Sequence, residues 1–245
     1  MIRAALALFL FMAAPSYAVT CQDITYQRND YTICEVDPAQ DELRLFLYAE
    51  SGTPYAQFAT LDQALAEDGK RLAFAMNAGM YHADRAPVGY YLEDRQEKMR
   101  VLENASPGNF GLLPNGVFCI GNDRAQVFET TQFLSETPDC DHATQSGPML
   151  VINGALHPRF LPDSTSRYIR NGVGANADGT RVVFAISNNA VTFHEFGRLF
   201  LDHLSLPQAL YFDGNISKIY APHVNRADIG RPMGPIVGIV QELSD

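Results

Sequence analysis

Three well-separated segments of this chain place a hydrogen-bonding or charged side chain where an apolar run stops: Asn77-Ala78-Gly79-Met80-Tyr81, Arg170-Asn171-Gly172-Val173-Gly174 and Asp213-Gly214-Asn215-Ile216-Ser217. Strand ends are where rigid scaffolds commonly present their chemistry. Asp213 follows Ala209-Leu210-Tyr211-Phe212, so its carboxylate emerges at a strand's carboxyl end. An Asp-Gly pair between apolar runs is also a strong hairpin signal, and a tight turn can aim a carboxylate, so the two readings are compatible. Arg170 carries a permanently charged planar fork beside glycines, which suits phosphate or carboxylate binding; a surface ion pair is the competing reading. The amide of Asn77 can donate to and accept from sugar hydroxyls, or it can cap the backbone of Ala78 and Gly79 as an Asx-turn. Between these segments lies Ser146-Gly147-Pro148-Met149-Leu150-Val151, which lacks the Gly-x-Ser-x-Gly elbow, so Ser146 reads as a turn residue or polar ligand contact and not as an acyl-forming nucleophile. Together these residues imply a folded site for a polar, anionic carbohydrate ligand.

The remaining chemistry-bearing residues add less. Six histidines, His82, His142, His157, His194, His203 and His223, show no His-x-x-x-His spacing, so neither a metal nor another cofactor is expected. His82 with Asp84, and His157 with Arg159, are candidates for substrate loops. The Gly-x-Gly after Asn171 is followed by Asn176-Ala177-Asp178-Gly179, a hairpin turn and not the start of a dinucleotide-binding helix. A formal charge of −10 repels nucleic acid and anionic lipid, which excludes both as partners. An anionic substrate therefore needs a local basic feature.

The elements that must position these residues are mainly strands. Segments alternate with turn signals at 43–49, 72–76, 88–92, 116–120, 125–129, 149–152, 182–186, 209–212, 216–220 and 236–240, and several are continuous apolar runs of the kind buried on both faces. One helix is expected from Thr60, with Gln63 completing a capping box and Gly69 ending it. A second is expected from Thr192, with Glu195 as box partner, a Val191–Phe196 staple, and Phe193, Phe196, Phe200 and Leu204 on one face before Pro207. The fold class is α+β, mixed α/β: a single strand-rich domain with a sheet covered by few helices.

Residues 1–18 read as a signal peptide, with Arg3, an apolar stretch from Ala4 to Ala14, and small residues Ser16 and Ala18 flanking Tyr17. That stretch falls short of the roughly 20 residues needed to span a bilayer, so no membrane attachment is expected after cleavage. Residues 19–245 then form one domain in the periplasm or extracellular medium. Four cysteines in an exported chain favour disulfides, and Cys21 with Cys34 and Cys119 with Cys140 is the pairing that closes two local loops.

The ordered set of segments resembles the phosphodiester glycosidase family, bacterial relatives of the lysosomal enzyme that uncovers mannose 6-phosphate by removing a covering N-acetylglucosamine. The family's Asn-Gly-Gly-Phe-Phe-like, Ser-x-x-Pro-x-Leu-Val, Arg-x-x-x-Gly and Asp-Gly-Gly-Gly-Ser segments are echoed from Asn77, Ser146, Arg170 and Asp213 respectively. Ala78 replaces one glycine, and Asn215-Ile216 replaces two. The resemblance implies hydrolysis of a sugar 1-phosphodiester in an exported glycan or exopolysaccharide context. Asp213 would be the nucleophile or base and Arg170 the phosphate clamp, with Asn77, Ser146, Asn171 and Ser217 as substrate contacts and His157 as a proton donor. The altered glycines motivate a second reading, a non-catalytic glycan-binding accessory; a third is a metal-dependent phosphoesterase using His82, Asp84 and Asp213.

Overall fold

The structure, a computed structural model, describes residues 19–243; the leader assigned to residues 1–18 lies outside them. The described residues form three antiparallel sheets. The first runs β1 (Thr20–Tyr26), β2 (Asn29–Val36), β13 (Val182–Ser187), β12 (Asn171–Ala175), β14 (Gln208–Asp213), β10 (Met149–Ile152), β11 (Ala155–Leu156). In the second the order is β16 (Arg226–Ala227), β15 (Ile219–Ala221), β4 (Lys70–Asn77), β17 (Ile236–Glu242), β3 (Glu42–Phe46). The third follows β6 (Gln96–Met99), β5 (Tyr91–Glu93), β9 (His142–Ser146), β7 (Gly116–Gly121), β8 (Arg124–Glu129). Among the described residues the α-helices are α1 (Phe58–Glu67), α2 (Thr130–Glu136) and α3 (Phe193–Arg198), the last running on as a π-helical turn at Leu199–His203. The strand-rich α+β class read from the sequence is the class observed, with three sheets in place of one.

Four phenylalanines explain why so many strands are apolar on both faces. Phe74 of β4, Phe118 of β7, Phe184 of β13 and Phe212 of β14 are fully buried and meet between the three sheets, with Phe74 and Phe184 centroids 5.0 Å apart and Phe118 standing edge-on to Phe184 at 5.8 Å. Burying each such ring stabilises the fold by about 1.5–3 kcal/mol. The outer face of the first sheet carries Tyr31, Val183, Ala209 and Tyr211, and α3 with its π-helical continuation covers it through Phe196 and Phe200. Helix α1 covers the second sheet with Phe58, Leu61 and Leu65.

Thr192 caps α3 with the reciprocal Glu195 box expected from the sequence. Helix α1 differs: it begins at Phe58, its N-cap is Gln57, and no side chain bonds the cap, so the Thr60–Gln63 box does not form. Taking in Phe58 completes the apolar stripe 58/61/65 against the sheet, which outweighs a local cap. Strands β1 and β2 were not among the expected elements. A hairpin at Asp213-Gly214 does not form either, because β14 and β15 belong to different sheets. The glycines after Asn171 are not a flexible loop but part of β12, where close packing demands them: a Cβ at Gly172 would stand 2.4 Å from the Leu210 carbonyl oxygen. The Asn176–Gly179 turn does join β12 to β13, with Gly179 at φ +74°.

Both disulfides join the expected partners. Cys21 and Cys34 face each other across β1 and β2, and Cys119 on β7 is tied to Cys140 just before β9. Loops of this length are stabilised by about 3 kcal/mol each. Such bridges fit an oxidising compartment.

Candidate active site

Strands β4, β12 and β14 end or begin at the same edge, where the first and second sheets meet. There Asn77 and Asn171, both fully buried, bind reciprocally: Asn171 Nδ2 donates to Asn77 Oδ1 at 2.9 Å, and Asn77 Nδ2 donates to Asn171 Oδ1 at 3.3 Å. Each amide oxygen also receives a backbone N–H from one end of the Asp213–Lys218 segment. Asp213 N donates to Asn171 Oδ1 at 3.2 Å and Lys218 N to Asn77 Oδ1 at 2.9 Å. Ser217 Oγ closes the segment by donating to the Asp213 carbonyl at 2.7 Å. A satisfied buried polar network of this kind rigidifies what it touches. Asn77 therefore caps the incoming Lys218 backbone and not that of Ala78 or Gly79.

What this node holds in place is Asp213, which lines a cavity of about 770 Å³. The walls come from the turn after β4, the segment around Phe110, the turn after β14, and the Arg231–Pro232 pair. Among the described residues, Asp213 is the one carboxylate of the lining. Burial holds its carboxyl above the usual range, opposed by the backbone N–H groups of Asn215, Gly214 and Ile216. One of those, Asn215 N, donates to Asp213 Oδ1 at 2.9 Å, so the residue serves both its turn and the cavity.

Positive charge in the cavity comes from Arg85 and Arg231. Neither joins an ion pair among the described residues. Arg85 sits on a tight turn, with Arg85 N donating to the His82 carbonyl at 2.9 Å, and its guanidinium lies 5.3 Å from the Tyr81 ring centroid. The Tyr81 phenol is raised above its ordinary value by burial and by Asp213, while Arg85 and Arg231 pull it down, so one side chain feels all three charges. Tyr168, 56% exposed, contributes an open aromatic face, and Val88, Phe110 and Ile216 supply apolar surface.

Arg170 does not reach this cavity, which corrects the expectation of a direct phosphate contact. It is 1% exposed, with its guanidinium carbon 3.6 Å from the Phe193 centroid and 5.4–5.5 Å from those of Tyr211 and Tyr168. Its Nε donates to the Val191 carbonyl at 2.9 Å and its Nη2 to that of Ser166 at 3.2 Å. Aromatic packing has drawn this arginine behind the cavity wall, where it supports Tyr168 and Tyr211.

His157 is likewise elsewhere. It stacks on Phe160 at 4.7 Å, places Nε2 3.2 Å from the Leu113 carbonyl, and burial pushes it below its ordinary value, so it is a neutral packing residue. Ser146 Oγ donates to the Phe212 carbonyl at 2.7 Å in full burial. Ser217 borders a smaller neighbouring pocket with Lys218 and Ile229. No three His, Cys, Asp or Glu residues stand close enough to share a metal ion among the described residues, so the His82, Asp84 and Asp213 trio is not assembled. Arg85, Arg231, Tyr168 and Tyr211 are cavity residues that sequence reasoning missed; the nearest signals were Tyr81, the last residue of the Asn77 segment, and the His82–Asp84 pair, of which His82 lines the cavity.

The comparisons with known proteins agree with this architecture. The chain is 33% identical over 208 residues to the uncharacterized protein YigE of Escherichia coli, covering 84% of this chain and 81% of that one. Its fold is similar to the zebrafish N-acetylglucosamine-1-phosphodiester alpha-N-acetylglucosaminidase catalytic domain, auto-inhibited by its pro-peptide, with a TM-score of 0.60 at 13% identity over 90% of this chain and 81% of that one. A hypothetical protein from Synechocystis is also similar, with a TM-score of 0.57 at 12% identity, covering 91% of this chain and 61% of that one. The phosphodiester glycosidase family profile matches residues 70–240, which span β4 to β17 and every cavity residue named above, and the chain therefore belongs to the phosphodiester glycosidase family.

Proposed function

We propose that this cavity hydrolyses a sugar 1-phosphodiester, of N-acetylglucosamine type, by breaking the bond between the anomeric carbon and the phosphoryl oxygen, in a protein exported to the periplasm or medium. The observation that carries the reading is the pairing of a single half-buried carboxylate, Asp213, with two guanidiniums that join no ion pair among the described residues, in one cavity of a chain from this family. Departure of a phosphate monoester leaves an oxocarbenium-like centre on the sugar, which a carboxylate attacks or stabilises. The leaving group is a weak base, so a strong general acid is dispensable. A site with one carboxylate and local positive charge suits that reaction better than ordinary glycoside cleavage, which uses two acids.

Asp213 acts here as nucleophile or as base toward water, and the Asn77–Asn171 node, with Ser217, keeps it in register. Arg85 and Arg231 take the phosphate role foreseen for Arg170, while Tyr168 offers an aromatic face to the sugar ring. Incubation with an N-acetylglucosamine 1-phosphodiester should give many turnovers to free N-acetylglucosamine and a phosphate monoester. Calorimetric binding without product would instead make the protein a glycan-binding accessory, and release of sugar 1-phosphate would make it a phosphoesterase.

A further inference from the structure

The loop before β17 is held by an arrangement that an ordinary surface loop has no need of. Three successive carbonyls accept side-chain donors from three different parts of the chain. Gln57 Nε2 donates to the Gly230 carbonyl at 2.9 Å, Lys218 Nζ to that of Arg231 at 2.6 Å, and Tyr81 Oη to that of Pro232 at 2.9 Å. Met233 N then donates to the Ala56 carbonyl at 2.8 Å. Gly234 lies so close under Tyr81 that a Cβ there would meet the Tyr81 Cβ and Cγ at 2.6 Å.

Two of these tethers are costly or displaced from an obvious use. Lys218 is only 6% exposed, and a buried ammonium is unfavourable unless its donors are well used. Gln57 occupies the N-cap of α1 yet gives that helix no side-chain cap; its amide turns to the loop, where its Oε1 also lies 3.4 Å from Lys218 Nζ. Within this tethered stretch Arg231 is exposed, takes part in no ion pair among the described residues, and belongs to the wall shared with Asp213. Pre-ordering a long side chain's backbone in this way lowers the entropy lost when it grips a ligand.

We propose that Gly230–Pro232 is a pre-formed phosphodiester clamp, in which Arg231 contacts the anion with Arg85 from the turn after β4, and in which Lys218 and Gln57 are positioning residues that act through Arg231. This rests on the reading of the cavity given above but concerns a different set of residues from the one that cleaves. In a protein of net charge −10, such a clamp supplies the local attraction that the surface as a whole denies an anion.

The test measures KM for an N-acetylglucosamine 1-phosphodiester and for an uncharged aryl N-acetylglucosaminide, together with calorimetric binding of inorganic phosphate, in the full mature chain. Arg231→Gln should raise KM for the diester about ten- to hundredfold more than for the aryl glycoside and weaken phosphate binding by a similar factor. Lys218→Met and the milder, half-exposed Gln57→Leu should reproduce the same split in smaller degree, although neither side chain lines the cavity. A purely structural effect would move both substrates alike, and that result overturns the positioning role. Phosphate binding unchanged in Arg231→Gln, with diester hydrolysis intact, overturns the clamp and leaves the hydrolase reading standing. Absence of diester hydrolysis in the wild type, with phosphate binding lost in Arg231→Gln, removes that reading and supports the clamp.

Discussion

The buried node behind the cavity and the exposed loops in front of it use polar residues in opposite ways. Asn77, Asn171 and Ser217 are satisfied by one another and by backbone groups, so they have little left to offer a ligand. Arg85 and Arg231 are charged, unpaired among the described residues, and open to the cavity. Only Asp213 belongs to both regions, with its N–H in the node and its carboxylate in the cavity. The difference teaches that the buried amides of the motif segments chiefly hold the site, whereas the free positive charge of the cavity comes from Arg85 and Arg231, which lie outside those segments.

Substitutions on either side of that divide should separate the two roles. The largest effect falls on the shared residue: Asp213→Asn should lower kcat by about 10³-fold, as loss of a group in direct contact with the reacting atoms does. Its folding should not suffer. Because burial raises the native carboxyl's pKa, the wild type loses stability as pH rises from the unfolded value through the native one, so Asp213→Asn should melt at or above the wild-type temperature at pH 7. At a pH below the unfolded value, about 3.9, that difference should vanish. A variant that melts well below wild type at pH 7 would mean that Asp213 is structural.

Breaking the node should act chiefly on stability. Asn171→Leu strands the Asp213 N–H and one Asn77 amide, at about 1–3 kcal/mol per group, so a melting temperature lowered by roughly 5–10 °C is expected, with a smaller loss of kcat than Asp213→Asn gives. Arg170→Met should cost about 2 kcal/mol through its lost cation–π packing, and should change KM for a diester and an aryl glycoside by the same factor. A selective loss on the diester would return Arg170 to the phosphate. The subtlest effect is on pH dependence: if Asp213 works ionised, the acid limb of kcat/KM should lie above the ordinary aspartate value, because burial disfavours its charge.

Much of the scaffold was legible because it is written in local patterns. The α3 cap, the two disulfides and most central strands follow from short-range signals that agree with their surroundings. Helix α1 was misjudged at its start because the sheet surface, and not the first turn, decides where its apolar stripe begins. At the site, four of the positions singled out in the sequence, Asn77, Asn171, Asp213 and Ser217, are joined by hydrogen bonds. The sequence could not separate a polar group turned inward to another amide from one turned outward to a cavity. Arg170 shows the same limit: its charge pointed to phosphate, but Phe193, Tyr168 and Tyr211, scattered along the chain, enclose it. Arg231 was invisible for the complementary reason, because its placement depends on tethers from Gln57, Tyr81 and Lys218, which lie 173, 151 and 13 positions from the carbonyls they bind.

The most direct test of the central claim is hydrolysis of an N-acetylglucosamine 1-phosphodiester in ¹⁸O-labelled water, with the products analysed by mass spectrometry. The account predicts label at the anomeric hydroxyl of the released sugar and none in the phosphate monoester, with both products abolished together in Asp213→Asn. Label in the phosphate would place the attack on phosphorus and contradict it.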